Sequence, residues 1–389
     1  MKSFRKKIIS ATLLISMIGN TAIACQQVEA NTSHQQSQTT TQAKQSIKIA
    51  LLLDTSNSMD GLIDQAKSQL WTIVNELATS KCNDDSKPAL QIALYEYGND
   101  RLPASEGHIR QVCTLTDDLD LISEKLFSLK TNGGNEYCGQ VIETSLNQLE
   151  WGTNEADVKM IFIAGNEPFT QGNFFYKTAC EHANKNGVTV NTIFCGDFQQ
   201  GVNSSWKDGA DITKGTYMSI QQNRQTVFIE SPYDDKIDSL NTSLNGTYIP
   251  YGNLGRMKKE NQIRQDANAA TYSKANKVKR SVSKSSGFYR NKKWDLVDLA
   301  EGDNEAVEEM EEKSLPEVMK NMSTEKRKVY VAEKSTERKR IQTEIQTLNT
   351  KRRIYVAEKR KNTNQENSLD KVMIDAVKIQ ANKKGLKFQ

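Results

Sequence analysis

Ile47-Lys48-Ile49-Ala50-Leu51-Leu52-Leu53-Asp54 leads directly into Thr55-Ser56-Asn57-Ser58-Met59. A strand with one wet face alternates apolar and polar residues, whereas this run is almost continuously apolar until an acid closes it. That is the pattern of a central parallel strand buried on both faces. Past the junction, Ile63, Ala66, Leu70, Ile73 and Leu77 recur at steps of three and four, which puts one apolar stripe along a helix. A buried strand, a hydroxyl-rich turn and an amphipathic helix therefore follow one another without interruption.

The alternation continues downstream. Strands are predicted over 90–97, 108–113, 158–164, 188–195 and 216–220, and helices over 119–126, 137–149, 174–186 and 204–212. Strands interleaved with helices imply a doubly wound α/β domain, a mostly parallel, Rossmann-like sheet covered on both sides, over residues 47–222. In such sheets ligands bind beyond the carboxyl ends of the strands, near the point where strand order reverses. Asp54 to Met59 stands at such an end.

A carboxylate and several hydroxyls on one tight turn are hard oxygen donors that suit Mg²⁺ or Mn²⁺. A serine-rich helix cap following a strand would use the same letters. Asp54-Thr55-Ser56-Asn57-Ser58 resembles the DxSxS signature of the von Willebrand factor A (VWA) family, whose metal-ion-dependent adhesion site (MIDAS) it builds. The resemblance implies that Ser56 and Ser58 bind the metal directly, that Asp54 anchors it through water, and that one position stays open for a partner's carboxylate. The family's next ligand is a Thr after a glycine pair; here Gly133-Gly134 is followed by Asn135, with Thr131 and Glu136 in reach if the loop shifts. The family's final Asp, after the fourth strand, is replaced by Ala164-Gly165-Asn166-Glu167, so Asn166 or Glu167 is expected to take its place. The likeness runs from about Ile47 to Ile220 and implies a module that presents a divalent cation to an acidic protein or envelope polymer.

Lys2, Arg5, Lys6 and Lys7 precede an apolar run from Ile8 to Ile18, and Ala22-Ile23-Ala24-Cys25 follows. This reads as a signal peptide over residues 1–24. The run is too short to span a bilayer, which takes about 20 apolar residues. Cys25 resembles the acylated cysteine of a lipobox, which implies an envelope protein anchored in a membrane; the same letters permit ordinary cleavage and a secreted soluble product. Residues 25–46, rich in Gln, Thr and Ser, cannot offset the entropy of ordering and read as a tether.

Residues 223–389 form a polar, helical extension. From about Asn261 onward Lys, Arg, Glu, Gln and Asn dominate, the composition of long solvent-facing helices. Lys326 to Lys334, KRKVYVAEK, returns 25 residues later as KRRIYVAEK, Lys351 to Lys359, which sets Tyr330 and Tyr355 on nearly one face. Ile341, Ile345 and Leu348 continue a stripe between them. The favoured reading is a solvated helical hairpin with a narrow seam rather than a coiled-coil-like arm that packs on the VWA-like domain, on a second copy or on an anionic envelope polymer, because Glu325, Glu333, Glu337, Glu344 and Glu358 dilute the bases.

Five cysteines follow Cys25, namely Cys82, Cys113, Cys138, Cys180 and Cys195, and the first bridge expected is Cys180 with Cys195. Only His34, His108 and His182 occur, and there is no G-x-S-x-G, HExxH or phosphate loop, which argues against an enzyme. An exported chain is not expected to meet nucleic acid. Two functions remain: a metal-assisted binding module, or a structural envelope scaffold with a degenerate metal site that acts through its helical extension.

Overall fold

The computed structural model describes residues 45–221, 223, 226–303, 305–360 and 369–388. The signal-peptide, Cys25 and tether readings lie outside the described residues, apart from the last two positions of the tether.

Along the chain the first elements are β1 (Ser46–Asp54), α1 (Asp60–Leu77), β2 (Ser80–Lys81), β3 (Ala89–Tyr97), β4 (Ile109–Thr116), α2 (Leu119–Ser128) and α3 (Cys138–Gln148). There follow β5 (Val158–Gly165), α4 (Tyr176–Lys185), β6 (Thr189–Cys195), α5 (Phe198–Asn203), α6 (Trp206–Ile212) and β7 (Tyr217–Ile220). The six-stranded sheet has the order β4-β3-β1-β5-β6-β7, parallel throughout except for β4, which runs against β3. β1 is central: it pairs with β3 from Ser46 to Asp54 and with β5 from Ile47 to Leu53. The apolar run of β1 thus reflects burial on both faces. Strand order reverses between β1 and β5, so the crevice beyond their carboxyl ends holds Asp54 on one wall and Gly165 on the other.

One face of the sheet, with Ala50, Leu52, Tyr95, Tyr97, Ile161 and Ile163, packs on α3, α4 and α6. The other, with Ile49, Leu53, Ile92, Leu94, Met160 and Phe162, packs on α1, α2 and helices of the extension. All five cysteines beyond Cys25 are buried and free. The expected Cys180–Cys195 bridge is not formed, because Cys180 belongs to the first core and Cys195 to the second, on opposite sides of the sheet. The helix expected over 174–186 starts at Tyr176, and the one over 204–212 is preceded by α5 and begins at Trp206.

The extension contributes α7 (Asp234–Asn245), α8 (Gly252–Ala270), α9 (Lys274–Lys284), α10 (Leu296–Ala300), α11 (Thr324–Arg360), α12 (Leu369–Lys383) and β8 (Lys387–Phe388), which pairs with β2. α12 returns to lie along α1 and against β5, where Met373, Ala376, Val377 and Ala381 join the same core as Ile47 and Ile49. The core therefore crosses the boundary expected at 222/223, and the segment between β7 and α12 is an insertion ahead of the helix that closes this face.

The insertion is not the solvated hairpin that its composition suggested. α11 is one helix of 37 residues with Ile341 and Ile345 fully buried. Arg280 is buried between Trp71 and Tyr289, 4.6 and 5.8 Å from the ring centres, and reaches Asp120 at 2.8 Å and Asp266 at 2.7 Å. Lys284 is buried 2.9 Å from Asp266 and bonds Asn241 at 2.9 Å. Burial pushes Asp266 up, but Lys284 and Arg280 outweigh it and hold the carboxyl well below its ordinary range. Arg338 likewise pairs with Asp295 at 2.6 Å and Asp298 at 2.8 Å, and Arg352 with Asp234 at 2.9 Å. These polar residues serve as core because each charge is matched; unmatched, each would bear a desolvation cost of several kcal/mol. Among the described residues no helix is long and apolar enough to cross a membrane.

Candidate metal centre

Asp54 closes β1, and the chain then turns through the single 3-10 turn Asn57–Met59 into α1. The turn is held by backbone bonds on both sides: Thr55 N donates to Tyr97 O at 2.9 Å, and Asn132 N donates to Thr55 O at 2.9 Å. Asp54 Oδ1 accepts the Ser56 amide at 2.7 Å. Ser56 sits in the cap position ahead of the turn with extended backbone but makes no capping bond through its side chain. Its hydroxyl lies 3.2 Å from that of Ser58 and acts on the carboxylates of Asp54 and Glu136 instead. The helix-cap explanation of the serines is therefore not the one realised.

The second wall comes from β5. Asn166 Nδ2 donates to Ser58 Oγ at 3.1 Å. The Glu167 carbonyl accepts from Trp206 Nε1 at 2.8 Å, which fixes the loop and leaves the Glu167 carboxylate close enough to act on Asp54 and Glu136.

The third wall is the loop between α2 and α3, where the two neighbouring candidates differ in placement. Asn135 is exposed, while Glu136 is buried and turned inward, its amide donating to Gln171 Oε1 at 2.8 Å. Thr131 is engaged by Asp60. The loop's path follows from close backbone packing: a Cβ on Gly134 would lie 2.6 Å from the Gly98 carbonyl, and one on Gly98 would lie 2.7 Å from Glu136 Cγ and 2.8 Å from Asp54 Oδ1. Gly98 also has a φ of +76°, so two glycines let the loops touch and bring Glu136 to Asp54. An acid two positions behind a glycine pair was visible in the sequence, but nothing local favoured it over Asn135.

Electrostatically the crevice is unbalanced. Asp54 is fully buried, and its Oδ2 has no hydrogen-bond partner. Burial, then Glu136, pushes the Asp54 carboxyl well above its ordinary range against the Ser56 hydrogen bonds. Burial, then Glu167, pushes Glu136 up to about 7. No lysine or arginine is among the leading influences on either group. Glu96, one strand over, shows the contrast, since its carboxylate is paired with Arg110. Three carboxylates, two hydroxyls and an amide thus converge on a space that lacks a positive charge. Among the described residues no three His, Cys, Asp or Glu side chains form a metal cage by themselves, so any cation here depends on the serines as well.

The fold and crevice define an α/β module of doubly wound type with an oxygen-lined site at its switch point. The family model of the von Willebrand factor type A domain matches residues 48–242, and the chain belongs to that family. Among solved structures, the VWA domain of SpRpn10 is similar at 18% identity and a TM-score of 0.35 over 46% of this chain and 89% of that one. BatB from Bacteroides thetaiotaomicron is similar at 14% identity and a TM-score of 0.35, covering 45% of this chain and 90% of that one. Proximal thread matrix protein 1 from the mussel byssus, solved with a zinc-occupied MIDAS motif, matches at 13% identity and a TM-score of 0.32 over 45% of this chain and 41% of its own. No curated protein matches the chain. VWA domains are typically interaction or adhesion modules and often carry a divalent metal.

Proposed function

We propose that this chain is a binding module of the cell envelope that presents a divalent cation, Mg²⁺ or Mn²⁺, to an acidic group on a partner protein or envelope polymer. The observation that carries the reading is Asp54 Oδ2, buried and unpaired at the crevice, with Glu136 and Glu167 beside it and no counter-charge. Carboxylate, hydroxyl and amide oxygens are the donors that hard divalent cations take. Ser56 and Ser58 would hold the ion, Asp54 and Glu136 would balance its charge, and Asn166 and Glu167 would close the remaining side. Such an ion supplies an electrophilic point that a partner's carboxylate can meet. The protein's part is to keep the donors rigid, which the glycine contacts and the Trp206 bond to Glu167 do. Acylation at Cys25 and a tether over residues 25–46 would hold the module at a membrane; the basic start, the short apolar run and Ala24-Cys25 support this.

Calorimetric titration of the purified chain with Mg²⁺ and Mn²⁺ tests the cation. Binding that Ser56→Ala abolishes is expected. Silence at millimolar metal would overturn the proposal and leave the structural-scaffold reading. Capture of a partner from membranes, with and without chelator, then tests recognition.

A further inference from the structure

At the other end of α1 from Asp54, about 27 Å away along an 18-residue helix, lies a second recess. It has a volume of about 480 Å³ and is walled by the last turns of α1, the end of α9 and the final third of α11, a size ordinary for small-ligand sites. Lys87, Lys279, Arg352 and Arg353 line it, with Glu76 the one carboxylate among the described lining residues. Glu76 is already matched, by Lys378 and by Arg353 at 3.5 Å. Arg352 is held by Asp234, and Lys279 bonds the Thr72 hydroxyl at 2.7 Å. Lys87 is exposed, packs its stem on Gly287 and has no ion pair among the described residues.

The rest of the wall is chiefly hydroxyl and amide. Thr79, Ser286 and Thr350 give their protons to the carbonyls of Glu76, Ser283 and Gln346, so each oxygen retains acceptor capacity. The Asn349 side chain makes no hydrogen bond to the described residues and offers both an amide donor and an acceptor. An excess of cations calls for an anion, and hydroxyl and amide groups suit the hydroxyls of the body that carries it. The apolar lining is small, Ala78, Val282, Val356 and Ala357, and does not suit a peptide with bulky side chains.

We propose that this cleft binds a small phosphorylated polyol, either free, as a sugar phosphate or glycerol phosphate, or as the headgroup of a phosphoglycerol lipid. Lys87 and Arg353 take the phosphate, and Asn349 with the neighbouring hydroxyls takes the polyol. The site is independent of the cation crevice.

The test is calorimetric titration of the purified chain with glycerol 3-phosphate, glucose 6-phosphate, inorganic phosphate and glucose, together with flotation on phosphatidylglycerol vesicles, each with and without chelator. Binding of a phosphorylated polyol or of the vesicles is expected, with no heat from glucose and no effect of chelator. The exposed double variant K87A/R353Q should weaken it about tenfold or more, with an unchanged melting curve as control for folding. Asn349→Ala should weaken the polyol phosphates and leave inorganic phosphate unaltered. Vesicle binding without free-ligand binding identifies the lipid as the source, and the converse identifies the soluble compound. Absence of binding to every phosphorylated probe, or equal binding by K87A/R353Q, overturns the site; inorganic phosphate bound as tightly as the polyols overturns the polyol assignment.

Discussion

Gln380 of α12 donates its side-chain amide to Asn191 Oδ1 of β6 at 2.5 Å, and both residues are buried although 189 positions separate them. A polar pair inside an apolar interface fixes the register of the closing helix on the sheet, because sliding α12 would strand the buried Gln380 amide and cost Asn191 a hydrogen bond. Gln380→Leu removes one of the two donors to Asn191 Oδ1, leaving the Thr216 amide at 3.0 Å, and leaves Asn191 Nδ2 with only a 3.4 Å contact to the Ile161 carbonyl. A loss of about 1–3 kcal/mol is expected, read as a lower urea midpoint.

Arg280 joins α2, α8 and α9 through Asp120 and Asp266. Arg280→Met removes the charge but leaves both carboxylates buried. The expected cost is about 3–5 kcal/mol, measured by equilibrium denaturation. A loss below 1 kcal/mol would show that water reaches this network.

Glu136, not Asn135, faces the crevice. Glu136→Gln is therefore expected to weaken Mg²⁺ or Mn²⁺ binding by about tenfold or more, whereas Asn135→Ala should leave it unchanged. The same calorimetric titration checks both, and the reverse ranking would restore the reading taken from sequence.

Gly98→Ala places a methyl group against Glu136 and Asp54 on a backbone with φ of +76°. Strain of about 1–3 kcal/mol and loss of metal binding are expected together. A thermal melt with and without Mn²⁺ separates the two effects: the melting temperature should fall, and the shift caused by metal should vanish.

The Glu136 carboxyl, raised by burial and by Glu167 to about 7, sets a pH dependence. Its folded-state value lies above the unfolded value of about 4.3, so the stability it contributes is fully present below that value. It is lost as pH rises towards 7. Chelated protein should become less stable across that window, and Glu136→Gln or saturating Mg²⁺ should flatten the slope. Denaturation midpoints at a series of pH values provide the check.

The β1 run, the stripe of α1 and the alternation that follows were legible in the sequence because strand and helix periodicities are local and the sheet buries both faces of its central strands. Asp54, Ser56 and Ser58 were legible for the same reason: they stand where one period yields to the other. The choice between Asn135 and Glu136 was not local. It depends on Gly98 and Gly134 meeting backbone to backbone across two loops, which turns one side chain inward and its neighbour out. The insertion misled most, since Asp266, Arg280 and Lys284 read singly as surface residues. Only their convergence in three dimensions neutralises them, and that matching of opposite charges over long sequence separations, together with the return of α12 to the sheet, was decided by tertiary structure alone.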